Sequence, residues 1–261
     1  MKTRVAMIIA LAITTVAFLI GLAVTVLIGL RVRKHVTDKP IVPTETRFIA
    51  KRVFNLIILD ESGSMQGLEK VSVVGVNETI QAIQESYERF PEQEQLLTFI
   101  TFSSTGDSYY RKQFDLVPIS MVNDIDVSDY IPRGETPLYD TMGKALTELE
   151  GYVTDSDIVL VTIITDGQEN SSREYDQEMI KALIKRLDEK DWIFTYIGAN
   201  QDAILEADKM GIRNARNYRS DVAGTREMWE SEKKAREQFM EGTRSGVSKK
   251  RLKSDYFIDN D

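Results

Sequence analysis

The chain has no cysteine. Disulfides, thiolate nucleophiles and Cys-ligated zinc are therefore excluded. Histidine is nearly as scarce: the single one, His35, follows an apolar segment and lies far from the acidic motifs. A Ser-His-Asp relay or a His-ligated metal has no imidazole to use. Acidic residues are missing from the first 35 positions, which carry Lys2, Arg4, Arg31, Arg33 and Lys34. Residues 36–261 then hold 28 basic and 41 acidic residues, a balance of −13. A folded part this acidic repels phosphate backbones, so no nucleic-acid partner is expected. Neither Gly-x-x-x-x-Gly-Lys-[Ser/Thr] nor Gly-x-Gly-x-x-Gly after a strand-like run occurs, which argues against the common nucleotide-binding loops.

What is present begins with Val5–Leu30, 26 residues without a charge. As a helix this run would span roughly 39 Å, more than a hydrocarbon core of about 30 Å. A tilted single-pass transmembrane helix is the reading, with residues 1–35 as an anchor with basic flanks. A cleaved signal peptide is the alternative, but no Ala-x-Ala cleavage site closes the run. The basic flanks are nearly balanced and leave the side of the soluble part undetermined, with a slight lean to the cytoplasm. Ala17, Gly21, Thr25 and Gly29 recur every fourth residue, a small-residue face suited to a homodimer through the membrane helix. Residues 36–52, with Lys39-Pro40 and Val42-Pro43, read as a linker.

Beyond the linker, strand-like and helical runs alternate. Strands are expected at Val53–Leu59, Leu96–Ser103, Ser108–Phe114, Ile158–Thr165 and Trp192–Gly198. Several are continuous apolar runs, as in strands covered on both faces. Helices are expected at Leu68–Arg89, Pro137–Tyr152, Asp176–Lys190, Gln201–Met210 and Val222–Glu241. Val76, Ile80, Ile83 and Tyr87 mark one amphipathic stripe, and Met179, Ala182, Leu183 and Leu187 another. The fold class is α/β: a Rossmann-like, doubly wound, mainly parallel sheet. The turn Ser104-Thr105-Gly106-Asp107 suggests a hairpin and one antiparallel edge strand. The domain is assigned to residues 53–220, followed by a C-terminal helix and charged tail over 221–261. The tail after Gly246, with Lys249, Lys250, Arg251 and Lys253, is expected to lack structure; a basic docking segment is the alternative.

Three short motifs carry chemistry. Asp60-Glu61-Ser62-Gly63-Ser64 directly follows the first strand. Gly134-Glu135-Thr136-Pro137 precedes a helix, and Thr165-Asp166-Gly167 ends the strand at Ile158–Thr165. Each has a plain reading alone: Ser or Thr as a helix cap, Asp-Gly as a turn. Ligands of open α/β sheets bind outside the carboxyl ends of the strands, where all three loops can meet. Oxygen donors from Asp60, Ser62, Ser64, Thr136 and Asp166 suit a hard cation, Mg²⁺ first and Ca²⁺ or Mn²⁺ next, with positions left open. Glu61 either faces water or adds charge beside the cation. Asp140 either orients the site by hydrogen bonding or is a solvated helix-face residue.

Together these motifs resemble the metal-ion-dependent adhesion site of von Willebrand factor type A domains, and the resemblance spans roughly residues 53–218. It implies that Ser62, Ser64 and Thr136 touch the metal, that Asp60 and Asp166 contact it directly or through water, and that an Asp or Glu of a protein partner completes the shell. Gly198-Ala199-Asn200-Gln201-Asp202 further resembles small bacterial type A proteins. The anchor and the C-terminal extension lie outside the family's pattern. The expected function is a membrane-tethered, cation-dependent protein-binding module without catalysis. The alternatives are an Mg²⁺-dependent phosphoryl-transfer enzyme of haloacid dehalogenase type, or a structural subunit with a vestigial site. The enzyme would need an acid two residues after Asp60, where this chain has Ser62.

Overall fold

Val53–Leu59 is apolar at nearly every position, and the structure uses it as an inner strand buried on both faces. This computed structural model describes residues 52–105, 110–199, 203–247, 249–254 and 256. The expected membrane segment, the linker and Asn200-Gln201-Asp202 lie outside the described residues, as do Gly106 and Asp107 of the expected hairpin turn.

Six strands form one sheet: β1 (Arg52–Asp60), β2 (Glu94–Phe102), β3 (Tyr110–Pro118), β4 (Ile158–Thr165), β5 (Ile193–Ala199) and β6 (Asn214–Tyr218). Their order is β3-β2-β1-β4-β5-β6. All neighbours are parallel except β2 and β3. Helices α1 (Glu69–Arg89), α2 (Leu138–Glu150), α3 (Gln177–Asp188), α4 (Ala203–Lys209), α5 (Val222–Arg244) and α6 (Lys249–Ser254) complete the described elements, with three short 3₁₀ turns. The expected α/β class and the antiparallel edge strand are both found.

The sheet is covered on both sides. Phe54, Leu56, Ile58, Val161 and Ile163 point to the layer of α2, α3 and α4. Ile57, Leu59, Phe99 and Ile164 point to the layer of α1 and the first half of α5, where Trp229 is buried. From Phe54 on, alternation along β1 thus distributes its apolar side chains to two separate clusters. Gly75 of α1 permits this close approach of α5, because a Cβ there would fall 2.1 Å from the Trp229 ring.

Three expectations are corrected. β3 runs to Pro118, past the expected Phe114, because the pairing shifts register and Leu116 turns into the left-handed region at φ 53°. The strand therefore continues through a bulge that breaks apolar alternation. The buried stripe of α3 is Ile180, Leu183, Ile184 and Leu187, whereas Met179 is about half exposed. The segment after Gly246, expected to lack structure, forms α6, and Leu252 and Tyr256 join a cluster with Phe239 and Met240. Two apolar residues four apart suffice to dock it, despite the surrounding lysines. The strand β6 was not anticipated. Its five residues, Asn-Ala-Arg-Asn-Tyr, carry no apolar run, and only Tyr218 is buried.

Beneath the sheet lies a buried polar network. Arg236 of α5 donates to Asn55 Oδ1 at 2.7 Å, to Thr162 Oγ1 at 2.8 Å and to Glu232 Oε1 at 2.8 Å. Tyr256 donates its hydroxyl to Glu232 Oε2 at 3.1 Å. Both charges of the ion pair are removed from water, and each is satisfied by several partners, which is the condition for a buried pair to be tolerated.

Candidate metal centre

The sheet runs out from β1 in two directions, to β2 on one side and β4 on the other. The carboxyl ends of β1 and β4 therefore flank the topological switch point, where α/β sheets open a crevice. Asp60 is the last residue of β1, and Asp166 follows the last residue of β4. The structure brings both to this crevice, together with the turn after β1 and the loop before α2.

The turn after β1 is built on Asp60, which is fully buried. Its Oδ1 accepts the Ser62 amide at 2.7 Å, and its Oδ2 accepts the Thr165 hydroxyl at 2.6 Å. The tight turn projects Ser62 and Ser64 side by side, with their hydroxyl oxygens 3.0 Å apart. Ser64 donates to Asp166 Oδ1 at 2.5 Å. The other oxygen of Asp166 accepts the Ser220 hydroxyl at 2.9 Å. Neither Ser62 nor Thr136 spends its hydroxyl as a helix cap: Ser62 precedes the 3₁₀ turn Gly63–Met65 without a side-chain cap bond. The N-cap of α2 is Pro137, which was expected inside the helix, and that cap also has no side-chain bond.

Gly167 shows how closely the three loops approach. A Cβ added to Gly167 would lie 2.8 Å from Thr136 Oγ1, 3.4 Å from Asp60 Oδ2 and 3.5 Å from Ser64 Oγ. Two oxygens of the first motif and one of the second thus press against the glycine of the third, which has no room for a side chain. Among the described residues no three His, Cys, Asp or Glu side chains cluster as a metal cage. The set consists of two carboxylates and three hydroxyls, an all-oxygen set suited to Mg²⁺ with retained waters. In this respect the residues fit a divalent cation. Ser64 can direct its proton to Asp166 and keep a lone pair for a cation.

Burial pushes the Asp60 carboxyl up to about 6, with Asp166 adding repulsion, against the lowering effect of the bonds from Thr165 and Ser62. Tyr130, whose hydroxyl donates to the Asp60 carbonyl, and Tyr218 on β6 are raised as well, first by burial and then by these carboxylates.

A clasp holds the loop after β4 against the start of α2. Asn170 Oδ1 accepts the Thr136 amide at 2.8 Å, Glu169 Oε2 the Tyr139 amide at 2.9 Å, and Ser172 Oγ the Asp140 amide at 3.0 Å. In return Asp140, buried, accepts the amides of Arg173, Glu174 and Tyr175 at 2.7–2.8 Å. Asp140 is therefore not a solvated helix-face residue; it positions the loop that carries Gly167 and Asn170. Glu61 neither faces water nor adds charge beside the cradle. It is 8% exposed and accepts the Ile131 amide at 2.6 Å and Arg111 Nη2 at 3.3 Å. Sequence reasoning missed Thr165, Gly167, Glu169, Asn170 and Ser220. Thr165 and Gly167 adjoin Asp166 and were within reach of the motif; Ser220 has no local signal.

No known family profile matches the sequence, and no curated protein does. Solved structures do. The pilus adhesin SpaC from Lactobacillus rhamnosus GG, in its open conformation, is similar at 15% identity over 70% of this chain and 30% of that one, with a TM-score of 0.53. A second structure of SpaC gives 14% identity, the same coverages and a TM-score of 0.54. A von Willebrand factor type A protein from Catenulispora acidiphila matches at 15% identity over 76% of this chain and 43% of that one, with a TM-score of 0.43. The fold of this chain is shared with SpaC. The chain spans less than half the length of each of these proteins. At such identities the likeness is one of fold alone; the crevice between β1 and β4 follows from the strand order of this chain.

Proposed function

We propose that the chain is a binding module that captures a protein partner through a divalent cation, Mg²⁺ first. Asp60, Ser62, Ser64, Thr136 and Asp166 hold the cation, and an Asp or Glu of the partner completes its shell. The observation that supports this most directly is the convergence of oxygens on Gly167: Thr136 of one loop and Asp60 and Ser64 of another lie within 2.8–3.5 Å of where its Cβ would stand. The cation supplies a positive charge that a carboxylate can reach; the chain's own residues fix its position and exclude competing protein donors. Asp60 stays anchored by Ser62 and Thr165, and Ser64 keeps its proton on Asp166.

A phosphoryl-transfer role is disfavoured by the same turn. Asp60 is fully buried with both oxygens already hydrogen-bonded, so neither is free for in-line attack. Position 62 is a serine whose amide binds Asp60, and it cannot serve as general acid. The membrane anchor at residues 5–30, its small-residue dimer face and a cytoplasmic lean for the domain complete the proposal; Val5–Leu30 supports the first, Ala17 to Gly29 the second.

Isothermal calorimetry on the full-length protein in detergent micelles tests the cation site. Wild type should bind Mg²⁺ with a defined stoichiometry, and Asp166→Ala should lose that heat while keeping its circular-dichroism spectrum. Equal affinity in the two proteins would refute the site.

A further inference from the structure

Beside the turn at Asp60–Ser64 lies a separate cavity of about 320 Å³, walled by Glu61, Arg111, Ile131 and Arg133 and floored by Thr101 and Ser103 at the end of β2. It shares the backbone of the candidate cation site. Arg133 donates its amide to the Glu61 carbonyl at 2.8 Å, and the next residue, Gly134, accepts the Gly63 amide at 3.0 Å. Gly134 holds a left-handed φ of 78°, and a Cβ there would fall 2.8 Å from Thr105. The rim that carries Arg133 is therefore pinned directly to the turn that carries Ser62 and Ser64.

The charge balance of this cavity is opposite to that of the molecule. Its one carboxylate, Glu61, is occupied by the Ile131 amide and by Arg111. Arg111, its side chain half exposed, also donates to the Asp129 carbonyl. Arg133 is exposed and makes no ion pair among the described residues. Ser103 and Thr105 share one hydroxyl–hydroxyl bond at 3.1 Å, which leaves one of their two protons for a ligand. The Thr101 hydroxyl, fully buried in the floor, has no partner among the described residues. Two guanidiniums and unspent hydroxyl donors match a carboxylate, which Arg binds through paired N–H groups.

We infer that this cavity is a second acidic subsite: it receives a second Asp or Glu of the same partner, next to the one that reaches the cation. The inference rests on the cation-bridged reading above. It makes the partner's recognition element a pair of acidic side chains at fixed spacing, with Arg133 as the residue that selects it. Ile131, half exposed on the rim, offers apolar contact to the chain between them.

Fluorescein-labelled Gly/Ser peptides test this, using full-length protein in detergent micelles. One peptide carries a single Glu; a series adds a second Glu at increasing spacing. Anisotropy is read in Mg²⁺ and in chelator. In Mg²⁺, at least one spacing should bind up to about fivefold tighter than the single-Glu peptide. Arg133→Gln should abolish that gain and leave single-Glu affinity within about twofold, while Arg133→Lys should restore part of the gain. If no spacing outperforms the single Glu, or the gain survives in Arg133→Gln, the subsite is refuted while the cation reading stands. Single-Glu binding that is equal in Mg²⁺ and in chelator would instead refute the cation reading, and the subsite with it.

Discussion

Asp60→Asn separates the electrostatic cost of the candidate site from its architecture. Burial and Asp166 hold the Asp60 carboxyl at about 6 in the folded chain, against an ordinary value of 3.8. Between these values the folded protein binds the proton that the unfolded chain releases. Stability from this group is therefore fully present below about pH 4 and is lost as pH rises through about 6. At pH 7.5 without metal the loss amounts to about 3 kcal/mol. Asparagine removes it. The amide can keep the Ser62 bond through its oxygen. Thr165 can turn its proton to the Gly167 carbonyl, 3.0 Å away, and accept from the new amide. In chelator at pH 7.5, Asp60→Asn should be up to about 3 kcal/mol more stable than wild type by urea denaturation, and the difference should vanish near pH 4. Saturating Mg²⁺ should stabilise only wild type, by about 2.7 kcal/mol at a hundredfold excess over Kd. The comparison cancels the salt-bridged carboxylates Glu148, Glu150 and Asp157, held below their ordinary values, whose effect has the opposite sign. A metal-free variant no more stable than wild type at pH 7.5, or a difference that does not change with pH, would refute the reasoning.

Gly167→Ala should crowd the cradle: Mg²⁺ binding by calorimetry is lost, and denaturation shows a cost of about 1–3 kcal/mol as Thr136 is displaced. Glu61→Ala should leave the Ile131 amide unpaired and cost about 1–3 kcal/mol in urea, with Mg²⁺ affinity nearly unchanged, because Glu61 holds a loop and does not border the cradle. Arg236→Met should strand the Glu232 charge beneath the sheet and cost about 3–5 kcal/mol in the same assay. Ending the chain at Gly246 should lower the melting temperature markedly, since it removes Leu252 and Tyr256 from the core and one partner of Glu232.

The parts of the fold that were legible in sequence are the ones whose signal is local. β1 and β4 are continuous apolar runs, and they occur within a residue or so of where they were expected. The stripe Val76, Ile80, Ile83 predicted the buried face of α1 because one helix turns that face to one sheet. β6 was illegible because an edge strand is held by backbone pairing to β5, which any polar sequence can supply. The docking of α6 was hidden because two apolar residues among lysines look like a solvated tail until Phe239 and Met240 are beside them.

For the candidate site, the sequence by itself determined the chemistry. Without cysteine and with one distant histidine, the donors can only be oxygens, and Asp60, Ser62, Ser64, Thr136 and Asp166 are the ones placed at element ends. Convergence was decided by tertiary structure alone. Ser64 and Asp166 are 102 residues apart and meet only because β1 and β4 are neighbours at the point where the strand order reverses. The same packing decided that Glu61 holds a loop, that Asp140 clasps another, that Ser220 supports Asp166 and that Gly167 stays bare. Residue type sets what a side chain can bind, but hydrogen-bond partners distant in sequence set where it points.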